Sequence, residues 1–355
     1  MKMNVIRLDL PLKHPFKIAR EEISSQSSVI VELQHEGVRG YGEVTENSFY
    51  GHDFDSISNS LNGISAEALN QYAIKSPIEL WDLMHQQVDG DMFALSALDM
   101  AAHDLRGNRL GIPTWKDWGL AWSHATESSF TIGIDTVPQM VKKLQEEPGW
   151  RTYKIKLGTS HDLEIVKELR KHTDAIFRVD ANCGWTAEQT ISNSKELANL
   201  GVEFIEQPLP IDSSQDDKLR VFHDSAVPII ADEDCQVSAD VEKCSTMYHG
   251  VNVKICKCGG LTPALAMLAN AKSLGLTTMV GCMVESSIGI SGAAQLLPLL
   301  DYADLDGAVL LRDEPCMGAS IVKGIITLSR PTGCGSSIDL NRLQEFSSMD
   351  LERIG

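Results

Sequence analysis

Downstream of Ser123, β-rich segments recur at the length of one strand, one loop and one helix. They read SFTIGID, TYKIKLG, IFRVDAN, VEFIEQP, VPIIADE, GVNVKIC, TTMVGCMVES and YADLDGAVLL. Lys154, Asp180, Glu206, Asp232 and Lys254 follow one another at intervals of 26, 26, 26 and 22 residues. Units of this length need crossover helices, hence parallel strands. Eight of them predict a closed α/β barrel rather than an open doubly wound sheet. An open dinucleotide-binding sheet would carry G-x-G-x-x-G after its first strand. SFTIGIDTVPQM lacks it, which argues against a nicotinamide-dependent oxidoreductase.

The first 120 residues follow other rhythms. MNVIRLDLPL, SSVIVELQHEG and VRGYGEV alternate in polarity and predict an antiparallel meander, with Glu36-Gly37 as its second turn. From Asp53 to about Arg109 the period is helical. In DMFALSALDMAAHDLRGNRLGIP, Asp91 caps the start, and Gly107 followed by Gly111-Ile112-Pro113 predicts the stop. An α+β unit over residues 1–122 and a barrel over 123–316 are the expected division, with 317–355 left as a C-terminal segment.

Composition excludes some partners. The net charge of −18 repels nucleic-acid phosphates and anionic lipid. No apolar run approaches the roughly 18 residues of a membrane span. The opening residues interrupt their apolar stretch with Arg7, Asp9, Pro11 and Lys13, so no export signal and a cytoplasmic location are expected. The eight cysteines then read as reduced thiols, and the C-x-C pair Cys256/Cys258 has the wrong spacing for zinc.

Strands buried on both faces should be apolar, yet these carry charge. Lys154 and Lys156 share one face of their strand by period two, opposite Tyr153, Ile155 and Leu157. Asp180, Glu206 and Asp232 each end an apolar run, at the barrel mouth where sites of this architecture lie. Any one of them could be a helix cap, but three at the same phase predict a shared task. Adjacent carboxylates repel unless a cation lies between them, and an all-oxygen set leaving room for water suits Mg²⁺, with Mn²⁺ as the alternative. Lys254 faces the same way as Asn252 on its strand, whereas Lys257 falls on the opposite parity and is expected to point away. A lysine buried near a cation should have a lowered pKa and act as a base. A structural ion pair is the other reading for Lys156 or Lys254 alone. On strands two and six, the two lysines would face each other across the barrel.

Together these segments resemble the enolase superfamily, in its muconate-cycloisomerase-like subgroup, along nearly the whole chain. The resemblance rests on GYGE (Gly40 to Glu43), ALDMAAHDLRGNRLGIP, K-x-K, VDANCGW, EQPL, ADED, NVKICKCGG and DLD. It implies a modified (β/α)7β TIM-type barrel under an α+β capping domain to which the C-terminal segment returns. It also implies metal ligands at Asp180, Glu206 and Asp232, paired bases at Lys156 and Lys254, and Lys154 on a substrate carboxylate. The implied chemistry is removal of an α-proton through an enediolate stabilised by Mg²⁺.

Within the superfamily, a D-x-D such as Asp304/Asp306 resembles that of dipeptide epimerases, where it binds the substrate's N-terminal amine. The expected activity is inversion of the α-carbon of a dipeptide's C-terminal residue. The alternatives are an o-succinylbenzoate synthase or muconate cycloisomerase reaction on the same site, or a non-catalytic barrel that binds metal or a small molecule. Epimerases acting on Ala-Glu carry an arginine in the loop after the first strand. Here that position falls on Glu21, with Arg20 one residue before it. Either the loop shifts by one and Arg20 serves, or the second residue of the substrate is not acidic. Barrels of this kind often assemble symmetrically, so a homo-oligomer is also expected.

Overall fold

The computed structural model describes residues 1–18 and 21–347, with Glu21 described by its backbone alone. An antiparallel meander of β1 (Lys2–Ile18), β2 (Glu21–His35) and β3 (Val38–Thr45) opens the chain. Glu36 and Gly37, at φ 50° and 82°, form the mirror-image turn that suits the twist of a tight hairpin. β1 runs further than its alternation suggested, with a register break between Pro11 and Phe16. Pro11 and Pro15 lack the N–H groups that an unbroken ladder would use there.

The helix Met92–Leu110 lies against this sheet. Asp91 accepts a hydrogen bond from Ala94 N at 3.0 Å, and Gly111 ends the helix at φ 70°. Gly107, expected to contribute to the stop, lies inside the helix instead. Its role is close approach, because a Cβ there would come within 2.7 Å of Gly333 Cα. Gly42 of the GYGE segment serves the same purpose on β3, where a Cβ would run into the carbonyl of Ala97. The sheet and the helix backbone therefore touch directly.

Eight parallel strands follow: β4 (Phe130–Ile132), β5 (Thr152–Lys156), β6 (Ile176–Asp180), β7 (Val202–Glu206), β8 (Ile229–Ala231), β9 (Gly250–Val253), β10 (Thr277–Gly281) and β11 (Tyr302–Asp304). They pair in sequence order, and a parallel bridge from Ser128 to Ala303 joins the last strand to the first. Each falls on a segment expected from the repeat. Tyr153, Ile155, Val179, Ile205, Val251 and Val253 are buried in one apolar core with the surrounding helices. Their neighbours of opposite parity are thereby directed into the barrel. Leu343 and Phe346 pack with Ile6, Leu8 and Leu10 of β1. Among the described residues, no helix is long and apolar enough to cross a membrane, and none of the eight cysteines is in a disulfide.

Candidate active site

Asp180 and Glu206 end β6 and β7 and sit side by side in register, with Lys156 of β5 beside Asp180. Asp232 directly follows β8. All three carboxylates are buried, and one oxygen from each lies within 4.8 Å of the others. Two like charges about 4 Å apart repel by on the order of 4 kcal/mol at an effective dielectric of about 20, so such a cluster demands compensation. Four lysines provide it. Lys154 Nζ lies 2.7 Å from Glu206 and 3.3 Å from Asp180, and Lys156 lies 2.7 Å from Asp180. Lys254 and Lys257 lie 2.9 and 2.6 Å from Asp232.

The titration of the cluster follows from these contacts. Burial and the neighbouring Asp180 charge push the Glu206 carboxyl up to about 7. Burial acts the same way on Asp232, but Lys254 and Lys257 outweigh it and hold that carboxyl well below its ordinary value. Burial alone would lower Lys254, as expected, yet Asp232 beside it raises the ammonium well above its ordinary value. The expectation for Lys254 took no account of a carboxylate in direct contact.

Lys257 departs from its expected orientation. The strand ends at Val253 and a helical turn, Ile255–Cys258, begins. The period thus changes from two to 3.6 between the lysines, so Lys254 and Lys257, three apart, both reach Asp232. The turn ends at Gly259, φ 89°. The Gly259-Gly260 pair was the sequence signal for it.

Asp304 is the last residue of β11, and Asp306 lies just beyond the strand. Both nevertheless face one cleft, held by the first barrel strand. Thr131 donates through its N to Asp306 (2.6 Å) and through its hydroxyl to Asp306 and Asp304 (3.1 and 3.2 Å). Ser129 Oγ donates to Asp304 at 3.0 Å. Neither residue was singled out in the sequence, since only strand order places β4 beside β11. Burial would raise Asp304, but Lys154 at 2.6 Å brings it down to about 2. Burial and then the Asp304 charge push Asp306 up to about 7.

The cleft is lined by Lys156, Lys254, Asp304, Asp306 and Asn182 from the barrel mouth, and by Asn47 and Tyr50 from the N-terminal unit. Phe16, Ile18, Ile23, Val284 and Leu310 add an apolar wall. Glu21 begins β2 opposite Ile18. Arg20 lies outside the described residues. Glu206 Oε2 and Asp232 Oδ2 are buried and accept no hydrogen bond, having only the ion-pair contacts at 2.7 and 2.9 Å. Carboxylate oxygens left in this state, converging on one point, fit a hard divalent cation.

Residues 137–342 match the family model described as enolase C-terminal domain-like, and residues 2–119 the model for the mandelate racemase/muconate lactonizing enzyme N-terminal domain. The chain is similar to the L-Ala-D/L-amino acid epimerase of Flavobacterium johnsoniae, at 48% identity over 338 residues, covering 95% of this chain and 100% of that one. It is 37% identical over 341 residues to the L-Ala-D/L-Glu epimerase of Bacteroides thetaiotaomicron, covering 94% and 87%. Its fold superposes with a TM-score of 0.86, at 29% identity and 95% and 99% coverage, on a dipeptide epimerase from Enterococcus faecalis complexed with Mg and L-Leu-L-Tyr. By fold, buried acidic centre and these relatives, the chain belongs to the enolase superfamily, in the group of mandelate racemase and muconate lactonizing enzyme, and is an epimerase.

Proposed function

We propose that this enzyme inverts the α-carbon of the C-terminal residue of a dipeptide by two-lysine 1,1-proton transfer. One observation carries the reading. A single cleft presents Lys156, Lys254 and an aspartate pair, and the two lysines contact Asp180 and Asp232 of the buried acid triad beneath it. Lys156 on β5 and Lys254 just after β9 are four strands apart in the eight-stranded ring, hence across it from each other. The relatives whose names specify epimerases of L-Ala-D/L-amino acids or of dipeptides support the same substrate class.

In this reading Asp180, Glu206 and Asp232 hold Mg²⁺, and Mn²⁺ suits the same oxygen set. When bound, the ion supplies positive charge against the second negative charge that develops on the substrate carboxylate as the α-proton leaves. Lys154 sits beside the triad to bind the carboxylate. Lys156 and Lys254 take the proton from one face and return one to the other, each serving as base for one epimer and acid for the opposite. Asp304 and Asp306 bind the ammonium end and set the distance from it to the reacting carbon. The wall of Phe16, Ile18 and Ile23 favours a neutral, apolar side chain on the inverted residue. The division into a capping unit over 1–122, a barrel over 123–316 and a returning segment over 317–355 belongs to this reading. A cytoplasmic site of action does as well, and eight cysteines without a disulfide suit such a reducing compartment.

The test is a dipeptide library incubated in D₂O with Mg²⁺ and followed by mass spectrometry. Deuterium at the α-carbon of C-terminal residues is expected. No incorporation across the library, with turnover of a cyclohexadiene carboxylic acid, would assign the site to the synthase reaction instead.

A further inference from the structure

Lys257 has no part in the proton transfer. Its side chain is 0% exposed and lies off the cleft, whereas Lys254, at 10%, lines it. Its ammonium donates to Asp232 O at 2.5 Å, to Asp232 Oδ1 at 2.6 Å and to Asn252 O at 3.5 Å. All three of its N–H groups thus have acceptors within the protein. Only Oδ2 of Asp232 is left toward the other two acids, where it accepts no hydrogen bond.

The other two acids are held in the same way. Asp180 Oδ1 accepts the backbone N–H of Asn182 at 2.9 Å, and its Oδ2 faces Lys156. Glu206 Oε1 accepts from Asn252 Nδ2 at 2.8 Å, and its Oε2 accepts no hydrogen bond. Each carboxylate therefore has one oxygen held by a fixed donor of the protein and one turned to the lysines of the site. Asn252 joins two of these arrangements, through its amide to Glu206 and through its carbonyl to Lys257.

We propose that Lys257 and Asn252, with the backbone of Asn182, restrict every acid of the triad to a single ligand oxygen and thereby make the centre select a small six-coordinate cation over Ca²⁺. Mg²⁺ takes near-octahedral coordination from single oxygens, whereas Ca²⁺ takes six to eight, often with both oxygens of a carboxylate. A carboxylate whose second oxygen is held by a buried ammonium cannot turn to chelate. Lys257 and Asn252 are positioning residues, since they act through the acids and touch neither metal nor substrate. The inference rests on the metal reading of the triad and on no particular substrate.

The experiment measures binding to the full chain without substrate. Mn²⁺ is followed by electron paramagnetic resonance and displaced by Mg²⁺ or by Ca²⁺, giving the ratio of their affinities. Removing the Lys257 charge strengthens both divalent ions alike, so the ratio reports geometry. Lys257→Met, Lys257→Gln and Asn252→Ala are each expected to lower the Mg²⁺ preference by ~10-fold, at the lower end of what the loss of an outer partner does to metal affinity. Ratios within twofold of the unaltered protein in the folded variants would overturn the proposal, and Asn252→Ala decides the matter if the Lys257 variants do not fold. Shifted ratios in a protein that inverts no dipeptide would leave this inference standing and remove the dipeptide reading. Absence of Mn²⁺ binding to the unaltered protein would overturn both the metal reading and this one.

Discussion

Lys154 Nζ lies 2.6 Å from Asp304 Oδ2, deep in the barrel and with both groups buried. The lysine assigned to a substrate carboxylate and the aspartate assigned to a substrate ammonium thus neutralise each other across the cleft. A zwitterionic ligand supplies a partner for each in place of the other. Asp304 is then not left as an uncompensated buried charge, which would cost about 3–5 kcal/mol, while Lys154 keeps Glu206 and Asp180 beside it.

Binding should therefore demand both charged ends of the substrate. N-acetylation of a good dipeptide substrate, or Asp304→Asn, is expected to lower kcat/KM by roughly 100-fold or more, the equivalent of about 3 kcal/mol for a broken buried pair. Steady-state kinetics on matched free and acetylated dipeptides measures it. Equal turnover of the two would show that the aspartate pair does not receive an ammonium.

The two lysines should be separable. Lys156→Ala and Lys254→Ala are each expected to lower inversion by ~10³-fold, within the usual range for loss of a general acid or base. Each variant should still exchange the α-hydrogen of one epimer with D₂O, and the two variants should prefer opposite epimers. Proton NMR of each pure epimer reads this directly. Exchange of the same epimer by both variants would leave a single base.

A carboxyl pushed up to about 7 at Asp306 gives a pH limb. Below that value Asp306 is protonated and the ammonium end meets one carboxylate, since Asp304, at about 2, stays ionised. Above it both are charged. kcat/KM, which reports the free enzyme, should rise with pH from about 6 to 8 through a group near 7. Asp306→Asn should remove that limb and lower the plateau. A limb unchanged in the variant would assign it to another group.

Gly42→Ala tests how the N-terminal sheet meets its helix. The added methyl meets the carbonyl of Ala97, which cannot move without bending the helix Met92–Leu110. A loss of about 1–3 kcal/mol, typical of overpacking a tight core, is expected from urea unfolding. A variant of unchanged midpoint would mean that sheet and helix separate without penalty.

Much of this site was legible because it depends on local periodicity. Lys154 and Lys156 alternate with Tyr153, Ile155 and Leu157, and period two alone assigns them to opposite faces. Asp180, Glu206 and Asp232 recur once per strand–helix unit, which brings them to one end of the barrel. The barrel strands, the N-terminal meander and the acid triad are thus written in local periodicity.

Long-range packing sets what depends on where one period gives way to another and on which strands become neighbours. Lys257 was misassigned because parity was carried past Val253, where the strand becomes a helical turn. Ser129 and Thr131 hold the aspartate pair only because closure of the sheet sets Ser128 beside Ala303. Gly107 looked like a helix stop until Gly333, from the far end of the chain, came to lie against it. The protonation of the site was decided last. Burial pushes Glu206 and Asp306 up, whereas lysines brought from other strands hold Asp232 and Asp304 down, and Asp232 in turn holds Lys254 up.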